Sequence, residues 1–140
     1  ITSNTNSSTI TGLKAGTKYY YKVRAYKTVD GQKIYGTFST VLQTVTKPKA
    51  PTSIKVLPAT KKATVTWTKA TGAVGYEVYM ATSKNGTYKK IGATTSALKY
   101  VKAGLTSGKK YYYKVRAYTK TSAGTKLYSG FTSVKSVTVK

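Results

Sequence analysis

Lysine, arginine and tyrosine are the side chains on which any chemistry of this chain must depend. The 140 residues include 25 Lys and Arg and 14 Tyr, while Asp30 and Glu77 are the only acids and His and Cys are absent. His-based triads, thiolate nucleophiles and the usual zinc sites therefore lack their groups. Two separated carboxylates also make a poor calcium or magnesium site. A Ser–Lys pair could still form, but no motif singles one out. We predict no enzyme activity, no cofactor and no metal.

The excess of basic residues predicts attraction to polyanions. The formal net charge is +23, and candidate partners are cell-wall teichoic acids, acidic glycans, anionic lipid surfaces and nucleic acid. Nucleic acid is the least favoured of these, because no nucleic-acid-binding motif is present and the basic residues are spread over the whole chain. A solvated surface that only confers solubility is the alternative interpretation of the same charge.

An internal repeat divides the chain. Residues 12–26 read GLKAGTKYYYKVRAY and residues 104–118 read GLTSGKKYYYKVRAY, 92 positions later. After one inserted residue the offset becomes 93, so Lys47 aligns with Lys140. A period of this length fits a whole small sandwich domain rather than a solenoid repeat. We predict a complete module at residues 52–140 and a Pro-stiffened linker at 48–51. Residues 1–47 are predicted to be the C-terminal half of a preceding module, whose N-terminal half should lie before Ile1.

The pattern of apolar residues predicts an all-β fold. Short segments alternate between apolar and polar residues, and Val, Thr and Tyr dominate them. Asp30-Gly31 and Asn85-Gly86 are signals for tight hairpins with positive φ. No segment shows helical periodicity, and no apolar run is long enough to span a membrane. The seven predicted strands of the complete module are 53–57, 62–68, 75–81, 88–94, 98–101, 110–119 and 131–140.

Two groups of residues resemble the fibronectin type III family. The run ATVTW, which ends at Trp67, followed by GYEVY at residues 75–79, resembles the Trp of the family's second strand and the aromatic-x-Val pattern of its third. The spacing of Leu, Gly, Tyr, Val and Ala over residues 105–117, repeated over 13–25, resembles its Leu-x-Pro-Gly-Thr-x-Tyr signature, with Ala15 and Ser107 in place of Pro. The resemblance implies an immunoglobulin-like antiparallel β-sandwich in tandem modules. It also implies structural roles for Trp67, Tyr76 and the corner tyrosines Tyr19 and Tyr111.

Alternation along the longest predicted strand also defines a candidate binding face. Planar Tyr rings could stack on sugars while Lys and Arg hold phosphates or carboxylates. A solvent-facing ladder of cross-strand pairs, with Glu77 paired to Arg116 or Lys114, explains the same pattern without a ligand. Contact with a neighbouring module or chain is a third interpretation. The candidate residues, all predicted to face outward, are Tyr79, Tyr112, Lys114, Arg116 and Tyr118, with Tyr20, Lys22, Arg24 and Tyr26 in the first copy.

The bias towards Lys, Thr and Tyr without Cys is similar to that of modules in secreted, wall-associated proteins of Gram-positive bacteria such as clostridia. This resemblance implies a spacer and adhesion module of a secreted or cell-wall-associated bacterial protein. Its expected location is extracellular, at the cell surface or in the wall, where the basic surface would hold it on anionic polymer or glycan. Its other expected partners are neighbouring modules of the same protein, with further copies of the chain as a candidate. The alternatives are a subunit of an extracellular filament or surface layer, and a carbohydrate-binding accessory module of a glycoside hydrolase.

Overall fold

The computed structural model describes residues 1–140 and consists of strands, turns and loops without a helix. No helix long and apolar enough to cross a membrane is present. All strand pairs are antiparallel, which confirms the predicted fold class. The strands are β1 Lys18–Tyr21, β2 Tyr26–Val29, β3 Gln32–Tyr35, β4 Leu42–Val45, β5 Lys55–Ala59, β6 Lys62–Thr66, β7 Gly75–Ala81, β8 Lys89–Thr94, β9 Lys99–Ala103, β10 Lys110–Lys120, β11 Lys126–Phe131 and β12 Lys135–Thr138.

Two sheets form the sandwich of residues 55–138. The smaller sheet has the order β5-β6-β9, and the larger has the order β11-β10-β7-β8, with β12 also paired to β10. Strand β10 lies at the centre of the larger sheet because its eleven residues pair with β7 on one side and with β11 and β12 in succession on the other. It therefore positions four of the five candidate binding residues of the second copy.

The core lies between these sheets and follows the predicted alternation. Residues 63, 65 and 67 point inward from the second segment, and Tyr113, Val115 and Ala117 of β10 are fully buried. The Trp67 and Tyr76 rings pack with centroids 5.5 Å apart. Burial of each large apolar side chain stabilises the fold by about 1.5 to 3 kcal/mol. The alternation of β10 thus stabilises the sandwich with one set of residues and presents the other set on the outer face.

Two details of the strand prediction are wrong, at the first strand and at the β7–β8 connection. Ser53 has a φ of +50°, outside the β region, so the first strand begins at Lys55. Neither Asn85 nor Gly86 has a positive φ, and a loop over residues 82–88 replaces the predicted tight hairpin. The Gly86 N–H donates to the Ser83 carbonyl in this loop. In contrast, Asp30 and Gly31 have φ values of +48° and +78°, as a tight hairpin requires.

The predicted last strand, 131–140, is divided into β11 and β12. The Thr132 hydroxyl accepts a hydrogen bond from the Val115 N–H at 3.0 Å, where a regular ladder would use a carbonyl. The Ser129 hydroxyl likewise accepts from the Ala117 N–H at 2.9 Å. These hydroxyls satisfy two backbone N–H groups of β10 where the partner strand departs from regular pairing. Strand β11 begins at Lys126, five residues before the predicted start.

Strands β1 to β4 pair only among themselves. They form two two-stranded sheets, β1-β4 and β2-β3, and none is hydrogen-bonded to β5–β12. Many large apolar side chains of residues 1–47 remain exposed, including Val23 at 71% and Leu42 at 67%. The division into residues 1–47, 48–51 and 52–140 agrees with this pairing and stays a prediction.

Candidate binding face

The outer face of the larger sheet collects cations and aromatic rings, and we call it the basic aromatic face. Alternation in β7 and β10 brings Tyr79, Lys114 and Arg116 to the same side, because Tyr79 pairs with Lys114 and Glu77 pairs with Arg116. Strand β8 adds Lys90, which pairs with Tyr79 from the other side. The members of the face are Glu77, Tyr79, Tyr88, Lys90, Tyr112, Lys114, Arg116, Tyr118, Lys126, Tyr128 and Phe131.

Glu77 lies at the centre of the face and is only 1% exposed. The Arg116 guanidinium donates to its Oε2 through Nη2 at 2.9 Å and Nε at 3.2 Å. The Lys126 Nζ lies 3.1 Å from Oε1, and the Lys90 Nζ lies 3.6 Å from the same oxygen. The hydroxyls of Tyr79 and Tyr128 complete the shell at 3.0 and 3.2 Å. With this many charged and hydrogen-bonding partners, the desolvation cost of the buried carboxylate is offset.

The environment keeps Glu77 ionised. Burial alone would raise the pKa of its carboxyl group, but the hydrogen bonds from Arg116, Lys126 and Tyr79 outweigh burial and lower the pKa to about 2. Burial and the hydrogen bond to Glu77 raise the pKa of Tyr79, and the same carboxylate raises the pKa of Lys126. The cluster therefore holds a fixed negative charge inside a cationic ring at neutral pH.

The aromatic rings of the face are already in contact with cations. The Arg116 Cζ lies 3.6 Å from the Tyr128 ring centroid and 5.0 Å from that of Tyr79. The Lys114 Nζ lies between two rings, 4.2 Å from the Tyr88 centroid and 4.3 Å from that of Phe131. These are stabilising cation–π distances. The same contacts reduce the ring area that is free to stack on a sugar.

The prediction that Tyr118 faces solvent is wrong. Tyr118 lies on the outer side of β10, but only 4% of its surface is exposed. The Lys126 Nζ covers its ring at 4.2 Å, and the Tyr128 ring packs edge-on at 6.3 Å. Its other neighbour is Gly75, its cross-strand partner, where a Cβ would collide with the Tyr118 hydroxyl. The missing side chain at Gly75 thus lets the Tyr118 ring lie flat against the sheet.

The first copy places its candidate residues on a smaller version of this face. The Arg24 Cζ lies 3.7 Å from the Tyr35 ring centroid, which repeats the stacking of Arg116 on Tyr128. Lys22 is exposed, and its Nζ lies 5.9 Å from the Phe38 ring centroid. Tyr20 is 62% exposed. Tyr26 is half-buried, and its hydroxyl donates to the Asn4 Oδ1 at 2.9 Å. No counterpart of Glu77 is present among residues 1–47.

The four residues with predicted structural roles lie away from this face. Trp67 and Tyr76 are buried in the core, and the Tyr76 hydroxyl accepts from the Ala70 N–H at 2.9 Å. The Tyr111 hydroxyl accepts from the Thr106 N–H at 3.2 Å, and the Tyr19 hydroxyl accepts from the Lys14 N–H at 2.9 Å. Both copies therefore contain the corner hydrogen bond that the family resemblance implies.

Sequence reasoning missed five members of the basic aromatic face. Three of them, Lys126, Tyr128 and Phe131, match Lys33, Tyr35 and Phe38 of the first copy, so the repeat contained a signal for them. Lys126 was missed because the start of β11 was not predicted. No local pattern indicated the other two, which come from the β7–β8 loop and β8; they are Tyr88 and Lys90.

The cations of this face are suited to holding anions. No group of three or more His, Cys, Asp or Glu residues is present that could hold a metal ion. Lys114 makes no salt bridge, although its neighbours Lys90 and Arg116 both pair with Glu77. Its charge is held in place by two rings and faces no carboxylate. A phosphate or carboxylate of a ligand could supply the missing anion.

The two antiparallel sheets, the buried Trp67 and the corner tyrosines define a small β-sandwich module of the immunoglobulin-like class. A solved structure described as "Structure of FN3tt mut" is 30% identical, with a TM-score of 0.52, over 65% of this chain and 94% of that chain. The chain therefore belongs to the fibronectin type III-like family. A β-1,2-glucanase structure from Parabacteroides distasonis shares the fold at 19% identity and a TM-score of 0.54, over 80% of this chain and 16% of that chain.

Curated relatives are much longer proteins. An amylopullulanase of Thermoanaerobacterium thermosulfurigenes is 32% identical over 75 residues, which cover 54% of this chain and 4% of the enzyme. Exoglucanase B of Cellulomonas fimi is 31% identical over 127 residues, which cover 83% of this chain and 11% of that enzyme. The chain thus spans only a small part of these relatives. No family model matches the chain.

Proposed function

We propose that the chain is a non-catalytic spacer and adhesion module of a secreted or cell-wall-associated bacterial protein, retained on anionic wall polymer or glycan by its basic surface. The observation that carries this proposal is the near absence of negative charge at the surface. None of the 25 Lys and Arg side chains is buried. Glu77, one of two acids, is enclosed by cations, which leaves Asp30 as the exposed carboxylate. Such a surface attracts polyanions over long range.

The accessory role is supported by the relatives. They are bacterial glycoside hydrolases, and the matching segments make up between 4% and 11% of their length. A segment of this size, without a catalytic constellation of its own, fits a module that connects or retains a larger enzyme. Extracellular location follows from the same relatives as part of the proposal.

Retention by charge requires many weak contacts rather than one strong site. A single exposed ion pair contributes less than about 1 kcal/mol. Repeated modules on a repeating polymer add such contacts through effective concentration. On the basic aromatic face, Lys114 is held between Tyr88 and Phe131, so less side-chain freedom is lost when an anion binds. This face is the part of the surface that we expect to contribute most.

Sedimentation with purified Gram-positive cell walls tests the proposal. The probes are intact walls and the same walls after chemical removal of teichoic acid. We expect binding to intact walls that weakens steadily with added salt, because exposed charges are screened. Binding should fall on the stripped walls. No binding at low salt, or equal binding to both wall preparations, would contradict retention by anionic polymer.

Two matched pairs of lysines test the contribution of the basic aromatic face. Lys90 and Lys114 flank Tyr79 across the larger sheet, and Lys55 and Lys99 flank a threonine of β6 in the same way across the smaller one. The double variants Lys90→Gln/Lys114→Gln and Lys55→Gln/Lys99→Gln remove the same charge. We expect the first to weaken wall binding more. Equal losses would assign retention to the total charge and not to this face.

A carbohydrate-binding accessory module is the second candidate function, favoured by the glycoside hydrolases among the relatives. It would require ring surface for stacking, yet Tyr79 is covered by Arg116 and packs edge-on against Phe131 at 5.1 Å. Tyr118 is buried, which leaves Tyr112 as the accessible candidate tyrosine of β7 and β10. Affinity for a neutral glucan that is lost in Tyr112→Ala, with wall binding unchanged, would favour this function over charge-based retention.

A further inference from the structure

The corner loop of the first copy is in backbone contact with a loop of the second module. A Cβ added at Gly72 would lie 2.6 Å from the carbonyl carbon and oxygen of Ala15 and from the Cα of Gly16. A Cβ added at Gly16 would in turn collide with the backbone of Gly72. Because the obstacle on each side is backbone, no side-chain rotation can relieve the collision. Both glycines have positive φ, +62° and +77°, which already favours glycine.

The segment between the two copies is hydrogen-bonded to the first copy and to the second module. The Lys47 carbonyl accepts from the Gly16 N–H at 3.2 Å, and the Lys49 N–H donates to the Thr71 carbonyl at 3.0 Å. Pro48 and Pro51 are buried. The Thr52 N–H then donates to the Thr68 hydroxyl at 3.1 Å. Hydrogen bonds and buried prolines thus alternate along the segment, which leaves little freedom for a hinge.

The second copy presents the same corner loop with nothing docked on it. Gly108 occupies the position of Gly16 in the repeat and has a similar φ of +74°. A Cβ at Gly108 would meet nothing within 4 Å. Gly108 therefore has a backbone conformation similar to that of Gly16, but no other part of the chain packs against it.

We propose that the corner loop of each module is a docking surface for the 70–74 loop of the following module, and that this contact fixes the angle between modules. The occupant of the Gly108 surface is thus a further module of the same kind, joined through a Lys-Pro-Lys-Ala-Pro segment like that at 47–51. Arrays of this unit would be stiff rods with one repeated joint. The inference holds whatever polymer the basic surface binds.

Spin-label distance measurements on the full chain test the internal joint. The chain has no Cys, so Lys18→Cys and Lys89→Cys introduce the only two label sites, one on each side. We expect one narrow distance distribution. Gly16→Ala should broaden it by about 10 Å, the spread of a free linker of this length. Gly12→Ala is the matched control, because Gly12 has a φ of +73° but open space around it.

A longer chain tests the Gly108 surface. Lys140 aligns with Lys47, so residues 48–140 can be repeated after Lys140 in register, with labels on the two copies of Lys89. We expect a narrow distribution that Gly108→Ala in the earlier copy broadens. Gly124→Ala should leave it narrow, because Gly124 has a φ of +81° and equally open surroundings. A broad distribution in the unsubstituted chains, or equal effects of each substitution and its control, would overturn the proposal.

Discussion

Residues 12–26 and 104–118 have nearly the same sequence, yet their surroundings differ. Val23 is 71% exposed, whereas its counterpart Val115 is fully buried. The long strand β10 is continuous over eleven residues, whereas the equivalent residues of the first copy form the separate strands β1 and β2. The reason is that β7 pairs with β10 along residues 112–118, and no strand pairs with residues 22–25.

Other features are the same in both copies. Arginine stacks on tyrosine at 3.7 Å in the first and 3.6 Å in the second. The N–H groups of Val23 and Val115 each donate to a hydroxyl at 3.0 Å, that of Ser39 and that of Thr132. Side-chain stacking and local hydrogen bonds are therefore properties of the hairpin itself. Burial and strand continuity require the neighbouring sheet.

Truncating the paired valines gives the largest expected difference between the copies. Val115→Ala leaves a cavity in a closed core and should lower the free energy of unfolding by about 2 to 3 kcal/mol. Val23→Ala removes an exposed side chain and should change it by less than about 0.5 kcal/mol. Urea unfolding followed by Trp67 fluorescence for the module and by circular dichroism for the whole chain measures both. Similar losses in the two variants would show that Val23 is buried in solution.

The paired arginines separate an ionic contribution from stacking. Arg116→Ala removes the main partner of the buried Glu77 carboxylate, and we expect a loss of about 2 kcal/mol, since Lys126 and Lys90 remain. Arg24→Ala loses only stacking on exposed rings, worth about 0.5 to 1 kcal/mol. The same urea titrations measure this difference. A loss for Arg24→Ala as large as that for Arg116→Ala would mean that Arg24 has an acidic partner in solution.

Acid should weaken the second module through Glu77. Its pKa of about 2 lies below the ordinary value of 4.5, so its stabilisation is complete above about pH 4.5 and is lost as the pH falls towards 2. The loss should be about 2 kcal/mol, less than the full shift implies because Lys90 and Lys126 are partly solvated. Glu77→Gln should be less stable at neutral pH and nearly insensitive to pH in this range. An unchanged acid dependence in this variant would contradict the role of Glu77.

The corner tyrosines give the smallest expected effects. Tyr111→Phe and Tyr19→Phe each remove one hydroxyl that accepts a backbone N–H, at 3.2 and 2.9 Å. We expect a loss of about 1 kcal/mol for Tyr111→Phe. Because Tyr111 is buried and Tyr19 is only half-buried, the loss for Tyr19→Phe should be smaller. A larger effect at Tyr19 would reverse the comparison.

The sequence predicted the features that depend on periodicity and repetition. The bounds of β7 and the start of β10 match the prediction, because alternation is unbroken there. Gly75 and Lys110 are the first residues of these two strands. The inward set of Tyr113, Val115 and Ala117 follows from the same alternation. The division of the last strand was not predictable, because it depends on hydroxyls of Ser129 and Thr132 replacing backbone acceptors of another strand.

The candidate site was predicted only where it follows one strand. Lys114 and Arg116 lie on the outer face as the alternation of β10 requires. The burial of Tyr118 depends on the glycine opposite it and on Lys126 above it, which are distant in sequence. The enclosure of Glu77 depends on cations from β8, β10 and β11 together. Such convergence is visible only after the strands are paired.

An NMR titration of the ¹⁵N-labelled chain tests the central claim that this module binds anions and not neutral sugar. The two probes are soluble teichoic acid and a neutral maltooligosaccharide. We expect salt-sensitive shifts with teichoic acid that are largest around Lys90 and Lys114, smaller around Lys55 and Lys99, and no shifts with the neutral sugar. Shifts on the basic aromatic face with the neutral sugar alone would contradict the account.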